Sequence, residues 1–484
     1  MMSVSAKRIF FWGLFLLFLL TAPAALFYAK GYRFSFRQGV FVYTGSIAIR
    51  SVPQNIEILL NNKPVKSKKI NFINSSYHID GIRPGEYILD IQSPGYNNWS
   101  KKIFIHSGNS YELWNVILTK KEIEKKSYDA PGIEKFFISP DKKKIAIAQY
   151  GSDGEFLVKV LAIGSGIATD VFSSLEYKLA PDKENIEWSP QSDKIIIPAV
   201  KDGTKRYFLA NIENNETVNL KDIAGTDAIR NVRWDLGKNN WLYYLSGNNL
   251  FNLNPESKEL KTLAEDIASY DISGSKVYLF RPSDGIIYRM KSEKMNDTEK
   301  ISSAPPLDMS NPDFQITVYD ETRITFFNKN KKLLYVYNEG IKDDYFKELS
   351  GNAGGFQFSD DGKKLLYWSE FEISLYFLRD WDVQPKREEN ESRQLLRFSS
   401  QIENVQWHKD YEHVLFSTDK KIKIVEADYR DNINIMDILN TNEDNSAFIA
   451  DSSLNKIFFI GEDRNGKNLY SIDFPEKTGI FGLR

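Results

Sequence analysis

Residues 136–145 read FFISPDKKKI, residues 186–195 IEWSPQSDKI, residues 356–365 FQFSDDGKKL and residues 405–414 VQWHKDYEHV. In each, an apolar residue, one arbitrary residue and an anchor precede a polar turn, and an apolar strand restarts seven residues after the anchor. Val232-Arg233-Trp234 with Trp241 and Phe448-Ile449-Ala450 with Ile457 fit the same template. Tyr270-Asp271-Ile272 and Ile316-Thr317-Val318 are shorter copies, which makes eight. Within a copy further strands follow, such as Lys144 to Gln149 then Glu155 to Ala162, joined at turns like Gly151-Ser152-Asp153-Gly154. A helical solenoid would need apolar spacings of three and four sustained over about ten residues or more, and these segments lack them.

The anchors Ile138, Trp188, Trp234, Ile272, Val318, Phe358, Trp407 and Ala450 are separated by 50, 46, 38, 46, 40, 49 and 43 residues. Repeats of about 40 to 50 residues built from four short strands predict the blades of a β-propeller. Eight copies favour eight blades. Seven remain open if the copy at Tyr270 or the one after Ala450 is partial, because such a ring closes by sharing strands between its first and last blades. The Ser-Pro-Asp and Ser-Asp-Asp-Gly turns with their aliphatic strands resemble WD-repeat-like and TolB-like propeller blades over about 350 residues. That resemblance implies scaffolding and protein binding, or gating of a serine peptidase. No Gly-x-Ser-x-Gly elbow occurs in the chain, so the peptidase alternative is excluded, and the absence of a consistent Trp-Asp end ties the match to architecture more than to one family.

Upstream of the repeats, Ile9 to Ala29 contains no charge and spans a hydrocarbon core at 1.5 Å per residue. Trp12 and Tyr28 flank it at headgroup depth, with Lys7 and Arg8 on one side and Lys30 and Arg33 on the other. The competing reading is a cleaved signal peptide at Ala22-Pro23-Ala24, but the apolar run continues to Ala29. Residues 1–30 therefore read as a cytoplasmic stub and an anchor in contact with the bilayer through residues 9–29; charge alone leaves the orientation open.

Residues 45–119 run in short β-type pieces (SIAIRS, NIEILLNN, EYILDIQ, KKIFIH, YELWNVIL) between turn formers, which predicts a small β-sandwich. Asn61-Asn62-Lys63-Pro64 supplies a hairpin turn, and Pro84-Gly85 launches the strand at Tyr87. With Ser51-Val52-Pro53 before the Ile56 strand, Pro84-Gly85-Glu86-Tyr87, and Gly95-Tyr96 followed by Trp99, this module resembles the PEGA domain of envelope proteins. The Lys30 to Phe34 stretch resembles the opening of that group's membrane-anchored members. Pro53 and Asn55 fall in the family's naming motif, where Asn55-Ile56 replaces a Gly-Ala pair and Asn55 would supply the left-handed conformation. The resemblance implies binding or spacing at the envelope without catalysis. Residues 120–130 read as a charged linker, and 131–484 as the propeller. Lys66, Lys68 and Lys69 read as a solvated basic loop.

Composition narrows function further. Sixty-three basic against 65 acidic residues give a net charge of −2, which disfavours nucleic acid as a partner. No cysteine and only four histidines leave little for metal or acid–base chemistry. Glu462-Asp463-Arg464-Asn465-Gly466 and Ser283-Asp284-Gly285 lack calcium-loop spacing, and Gly164-Ser165-Gly166 lacks the rest of a phosphate loop. His408 and His413 read as exposed turn residues with no ligand set between them. The expectation is an all-β, non-enzymatic protein with no cofactor, held in a bacterial membrane by one span, its bulk outside the cytoplasm. It would bind envelope proteins or cell-wall glycan. The alternative is a propeller hydrolase or lyase acting on envelope polysaccharide, with paired carboxylates on the ring axis. Oligomeric state is not legible.

Overall fold

The computed structural model describes residues 4–35, 39–70, 76–180, 185–303, 314–340, 346–444, 446–464 and 466–474. The chain begins with a helix, Val4–Ala29, whose stretch Phe10–Ala29 is long and apolar enough to cross a membrane and is not buried against the rest of the chain. A short hairpin, Tyr32–Ser35 paired with Val40–Tyr43, follows directly. Phe41 stacks on Phe27 of the helix at 5.5 Å and the Arg33 guanidinium lies 3.7 Å over Tyr28, while Tyr32 stacks on Tyr43 across the hairpin at 4.8 Å. Phe34, Phe41 and Tyr43 nevertheless stay exposed.

Two four-stranded sheets then pack face to face. One orders Ser110–Ile117, Gly45–Val52, Ser76–Ile82 and Lys68–Ile70, with its first pair parallel; the other orders Lys63–Pro64, Glu57–Leu60, Gly85–Gln92 and Trp99–Ile105. Alternating side chains such as Ile47, Ile49, Ile58, Leu89, Ile91 and Trp99 fill the space between them. Lys68 and Lys69 begin a strand here and do not form a free loop. The left-handed turn falls at Asn61 (φ 50°) and Asn62 (φ 61°), the geometry a two-residue hairpin needs; Asn55 does not adopt it, so that expectation is corrected. Gly95 (φ 80°) takes the left-handed position in the turn before Tyr96.

The remainder is a ring of eight antiparallel blades. Seven follow the chain, with inner strands Ile133–Ile138, Glu187–Trp188, Ile229–Trp234, Ser269–Ser273, Phe314–Asp320, Gly355–Phe358 and Ile402–Trp407. In the second blade the inner position is shared with Lys178–Leu179. The eighth combines Phe448–Asp451, Lys456–Asp463 and Gly466–Asp473 with Lys126–Tyr128, a strand within the stretch read from sequence as a charged linker. Tyr128 pairs with Leu469, so the last blade takes its outer strand from the start of the domain and the ring has no open seam.

All eight anchors lie on inner strands. Ile138, Trp188, Phe358, Trp407 and Ala450 pair with the residue seven positions on, as the repeat requires. Ile272 and Val318 pair five and six positions on, with Val277 and Ile324. Trp234 pairs with Leu242 in place of the expected Trp241. Asn240 adopts φ 64° and lengthens that turn by one residue, leaving Trp241 half-buried beneath the Lys238 and Lys261 ammonium groups. Each seam between neighbouring blades holds its own apolar cluster, for example Phe156 and Val158 against Trp188 and Ile195, or Ile133 and Phe136 against Phe458 and Leu469 across the closure.

Candidate functional site: the ring axis and the docked sandwich

The residue between the apolar position and the anchor, arbitrary in the sequence template, carries the polar character of the axis. It is Glu187, Arg233, Asp271, Thr317, Gln357 and Gln406 in successive blades from the second to the seventh. A side chain here points away from the sheet core and reaches the next blade. Glu187 Oε1 accepts from Trp234 N (3.2 Å), Asp271 Oδ2 from Val318 N (2.7 Å), Gln357 Oε1 from Trp407 N (2.9 Å) and Gln406 Oε1 from Ala450 N (3.2 Å). Each acceptor sits one blade ahead of an anchor amide that its own sheet leaves unpaired, so the seam supplies the bond that burial demands. The tryptophan anchors answer in kind: the indole N–H groups of Trp188, Trp234 and Trp407 donate to the carbonyls of Phe137, Glu187 and Gln357.

A cavity of about 710 Å³ opens on this axis between blades two and six, with Glu187, Arg233, Asp271, Lys329 and Trp368 on its wall. Arg233 bridges two carboxylates, its Nε 2.9 Å from Glu187 Oε2 and its Nη1 3.4 Å from Asp271 Oδ1. Protein surrounds it, yet 43% of its side chain is reached from inside the channel. Burial pushes the Glu187 and Asp271 carboxyls above their ordinary values, with Arg233 offsetting only part of that. Burial works against the Arg233 charge as well, but the two carboxylates outweigh it and raise its pKa. All four carboxylate oxygens are engaged, two by backbone amides and two by Arg233. The pair thus closes the seams on either side of Arg233.

The second concentration of charge lies where the sandwich meets blades six and seven. Lys101, on the strand Trp99–Ile105, is fully buried and donates to Glu426 Oε1 (2.5 Å) and to the Asp428 carbonyl (2.9 Å). Trp99 Nε1 donates to the other oxygen of Glu426 at 3.0 Å, while Asn434 donates to Oε1 from both its backbone and its side chain. Arg430 grips Asp428 at 2.6 Å, donates to the Glu112 carbonyl at 2.8 Å and to Gln384 Oε1 at 3.0 Å, and stacks 4.2 Å over Tyr111. Gln384 in turn donates to the Ser110 carbonyl. Burial opposes ionisation of Asp428, but Arg430 and Lys101 prevail and hold it below the usual carboxylate range. The loops that carry these groups, residues 378–391 and 427–434, join the third and fourth strands of their blades. Tyr429, held between the Arg387 and Arg393 guanidinium groups at 3.7 and 3.8 Å, ties one blade to the next beneath the sandwich.

The sequence-derived positions distribute as follows. The eight anchors stand around the axis, one per blade. Pro53, Asn55, Pro84, Gly85, Tyr87, Gly95 and Tyr96 lie in or beside turns of the sandwich and do not converge on one place; Tyr87 and Tyr96 pack against its core, and Tyr87 donates to the Arg83 carbonyl. Ser283-Asp284-Gly285 and Asp463 to Gly466 are hairpin turns, with Asn465 outside the described residues. The reading of His408 and His413 is corrected: both are buried, and Asp410 lies between them. His408 and Asp410 belong to the turn that leaves the inner strand and His413 opens the next strand, with the Phe474 ring packed 5.6 Å from His408. Sequence reasoning missed Lys101, although the alternation Trp99, Lys101, Ile103, Ile105 put a charge on an otherwise apolar face.

No family model matches the chain, and no curated protein does. Solved structures similar to it include the C-terminal WD40 domain of Sif2 (TM-score 0.46, 12% identity, covering 74% of this chain and 98% of that one). The β-propeller domain of Myceliophteria thermophila Cps50 (Swd1) gives TM-score 0.39 and 9% identity, covering 72% and 99%. Oligogalacturonate lyase in complex with manganese gives TM-score 0.38 and 12% identity, covering 73% and 96%.

Proposed function

We propose that this chain is a non-enzymatic, membrane-anchored binding platform of a bacterial envelope. Val4–Ala29 is its single bilayer span, with the aromatic hairpin Tyr32–Tyr43 seated at the headgroup level. The PEGA-like sandwich is a rigid spacer, and the ring, outside the cytoplasm, presents its axial cavity to a protein or a cell-wall glycan. The observation that carries this reading is the axial cavity, where Glu187, Arg233 and Asp271 are paired with one another while further polar and aromatic side chains line a space of about 710 Å³. The buried junction at Lys101 supports it, because it fixes the ring's attitude to the spacer and so to the membrane.

The first test is protease accessibility of a C-terminal tag in intact cells, combined with crosslinked capture of envelope components. The reading expects the tag to be cleaved from outside and a partner or wall polymer to be recovered by the wild type but at least about tenfold less by Trp368→Ala. A tag protected until the inner membrane is broken overturns the location. Release of new reducing ends from envelope polysaccharide, abolished by Asp271→Asn, would overturn the non-enzymatic reading in favour of a hydrolase or lyase.

A further inference from the structure

The turns that leave the inner strands of blades one and six share one arrangement, and blade seven replaces its key side chains. In blades one and six the position after the anchor is serine, Ser139 and Ser359, whose hydroxyl donates to an aspartate two residues on, Asp141 or Asp361. Six positions after the anchor, Lys144 and Lys364 reach across the seam to carbonyls of the next blade, Ser192 and Tyr411. In blade seven the same three positions are His408, Asp410 and His413. Polar-to-imidazole replacement at both ends of one turn, with the aspartate kept between, exchanges a hydroxyl and an ammonium for two neutral-capable nitrogen donors.

Those donors converge. One donor atom from each residue lies within 4.8 Å of the other two. His408 Nδ1 is 3.1 Å from Asp410 Oδ1, and His413 Nδ1 is 2.9 Å from Oδ2. The Asp410 side chain is fully buried, and those of the two histidines are 6% and 3% exposed. Asp410 Oδ1 also accepts from the backbone amides of Glu412 and His413 (3.0 and 3.1 Å), which fixes the carboxylate with Oδ2 toward His413 and Oδ1 toward His408. His413 Nδ1 hydrogen-bonds Asp410 Oδ2, whereas the buried His408 Nδ1 has only Asp410 beside it, and the alignment of that contact does not satisfy it fully. An incompletely satisfied buried nitrogen, converging with a second imidazole and a carboxylate, calls for a further partner, and a bound cation would supply it.

We infer that His408, Asp410 and His413 form a binding site for a divalent cation of the zinc class. Two imidazoles and one carboxylate suit a borderline ion that takes nitrogen and oxygen donors in tetrahedral coordination. A cavity of about 170 Å³ reaches His408 beside Asp360, Asp451 and Phe474, giving an entry path and room for water as a fourth donor. On its other side His413 is the ladder partner of Glu426, the carboxylate that grips Trp99 and Lys101. The ion would therefore stiffen the one turn that backs the sandwich junction, a structural clasp placed where blades one and six use a lysine.

The test uses full-length protein in detergent, stripped with a chelator and titrated with zinc against a chromophoric competitor. About one equivalent should bind, and cobalt in its place should give the visible absorption of a four-coordinate site. The double variant His408→Ser with His413→Lys rebuilds the turn that blades one and six already use, so it should keep its melting profile and lose the bound equivalent. The single variant His408→Asn should bind at least about tenfold more weakly and serves if the double variant does not fold. Zinc uptake below about one tenth of an equivalent by the wild type overturns the site, leaving a hydrogen-bonded His-Asp-His cluster. Undiminished uptake by either variant overturns it too, by placing the metal elsewhere.

Discussion

The blade-to-blade seams and the sandwich-to-ring junction both bury polar groups, but they do it with different chemistry. A seam is an apolar cluster closed by hydrogen bonds such as an indole to a carbonyl or a glutamine to an amide, with a charged group such as Arg233 or Lys364 joining in at some blades. The junction is built on charge: the buried Lys101 ammonium on Glu426, ringed by further donors, with Arg430 on Asp428 beside it. Seams repeat eight times and tolerate variation, since Arg233, Thr317 or Gln406 can stand where Glu187 does. The junction occurs once and depends on a complete set of partners, because an uncompensated charge in a dry interface costs far more than a lost neutral bond.

The largest expected effect follows from that difference. Lys101→Met leaves Glu426 buried without its countercharge and should destabilise docking by about 3–5 kcal/mol. Limited proteolysis should then cut between sandwich and ring while the ring stays resistant; intact resistance would show that the apolar contacts alone suffice. In a seam, Gln357→Leu strands the Trp407 amide and should cost about 1–3 kcal/mol, read as a lower thermal midpoint without release of the sandwich. Trp234→Phe keeps the ring but loses the donor to the Glu187 carbonyl, for about 1 kcal/mol.

Acid should separate the two regions by sign. Asp428 is held below its ordinary value of 3.8, so its contribution is present above that pH and lost as pH falls through the lower folded value. Glu187 and Asp271 are raised, so the stability they contribute is fully present below the ordinary values of 4.5 and 3.8 and lost as pH rises through the higher folded values. Mild acidification should therefore slow hydrogen exchange at Trp234 and Val318, while stronger acid loosens the junction first. Asp428→Asn should flatten only the second response. The smallest effect belongs to Lys238→Ala, which removes an exposed pairing with Glu293 and one cation over Trp241 and should change stability by about 0–1 kcal/mol.

Particular residues show why some of this was legible. The anchor spacing gave eight blades because a blade must repeat its apolar positions to pack on its neighbour, whatever the turn between them. The short copies at Ile272 and Val318 remained readable for that reason, although their turns are tighter. The closing strand Lys126–Tyr128 was hidden because a three-residue edge strand carries too little apolar pattern to stand out among lysines. Trp241 was misplaced by one residue because Asn240 absorbs a left-handed position that no spacing rule reveals.

By itself the sequence determined the apolar N-terminal segment, the small β-module and the repeating ring, since all three follow from local periodicity and turn chemistry. Only the tertiary structure decided which polar residues meet. Lys101 finds Glu426 across 325 positions, Glu187 and Asp271 find Arg233 from separate blades, and His408, Asp410 and His413 are buried together only in the packed ring, with Phe474 against His408. Such encounters depend on how whole sheets pack, and the energy that selects them comes from desolvating charge, which no window of sequence contains.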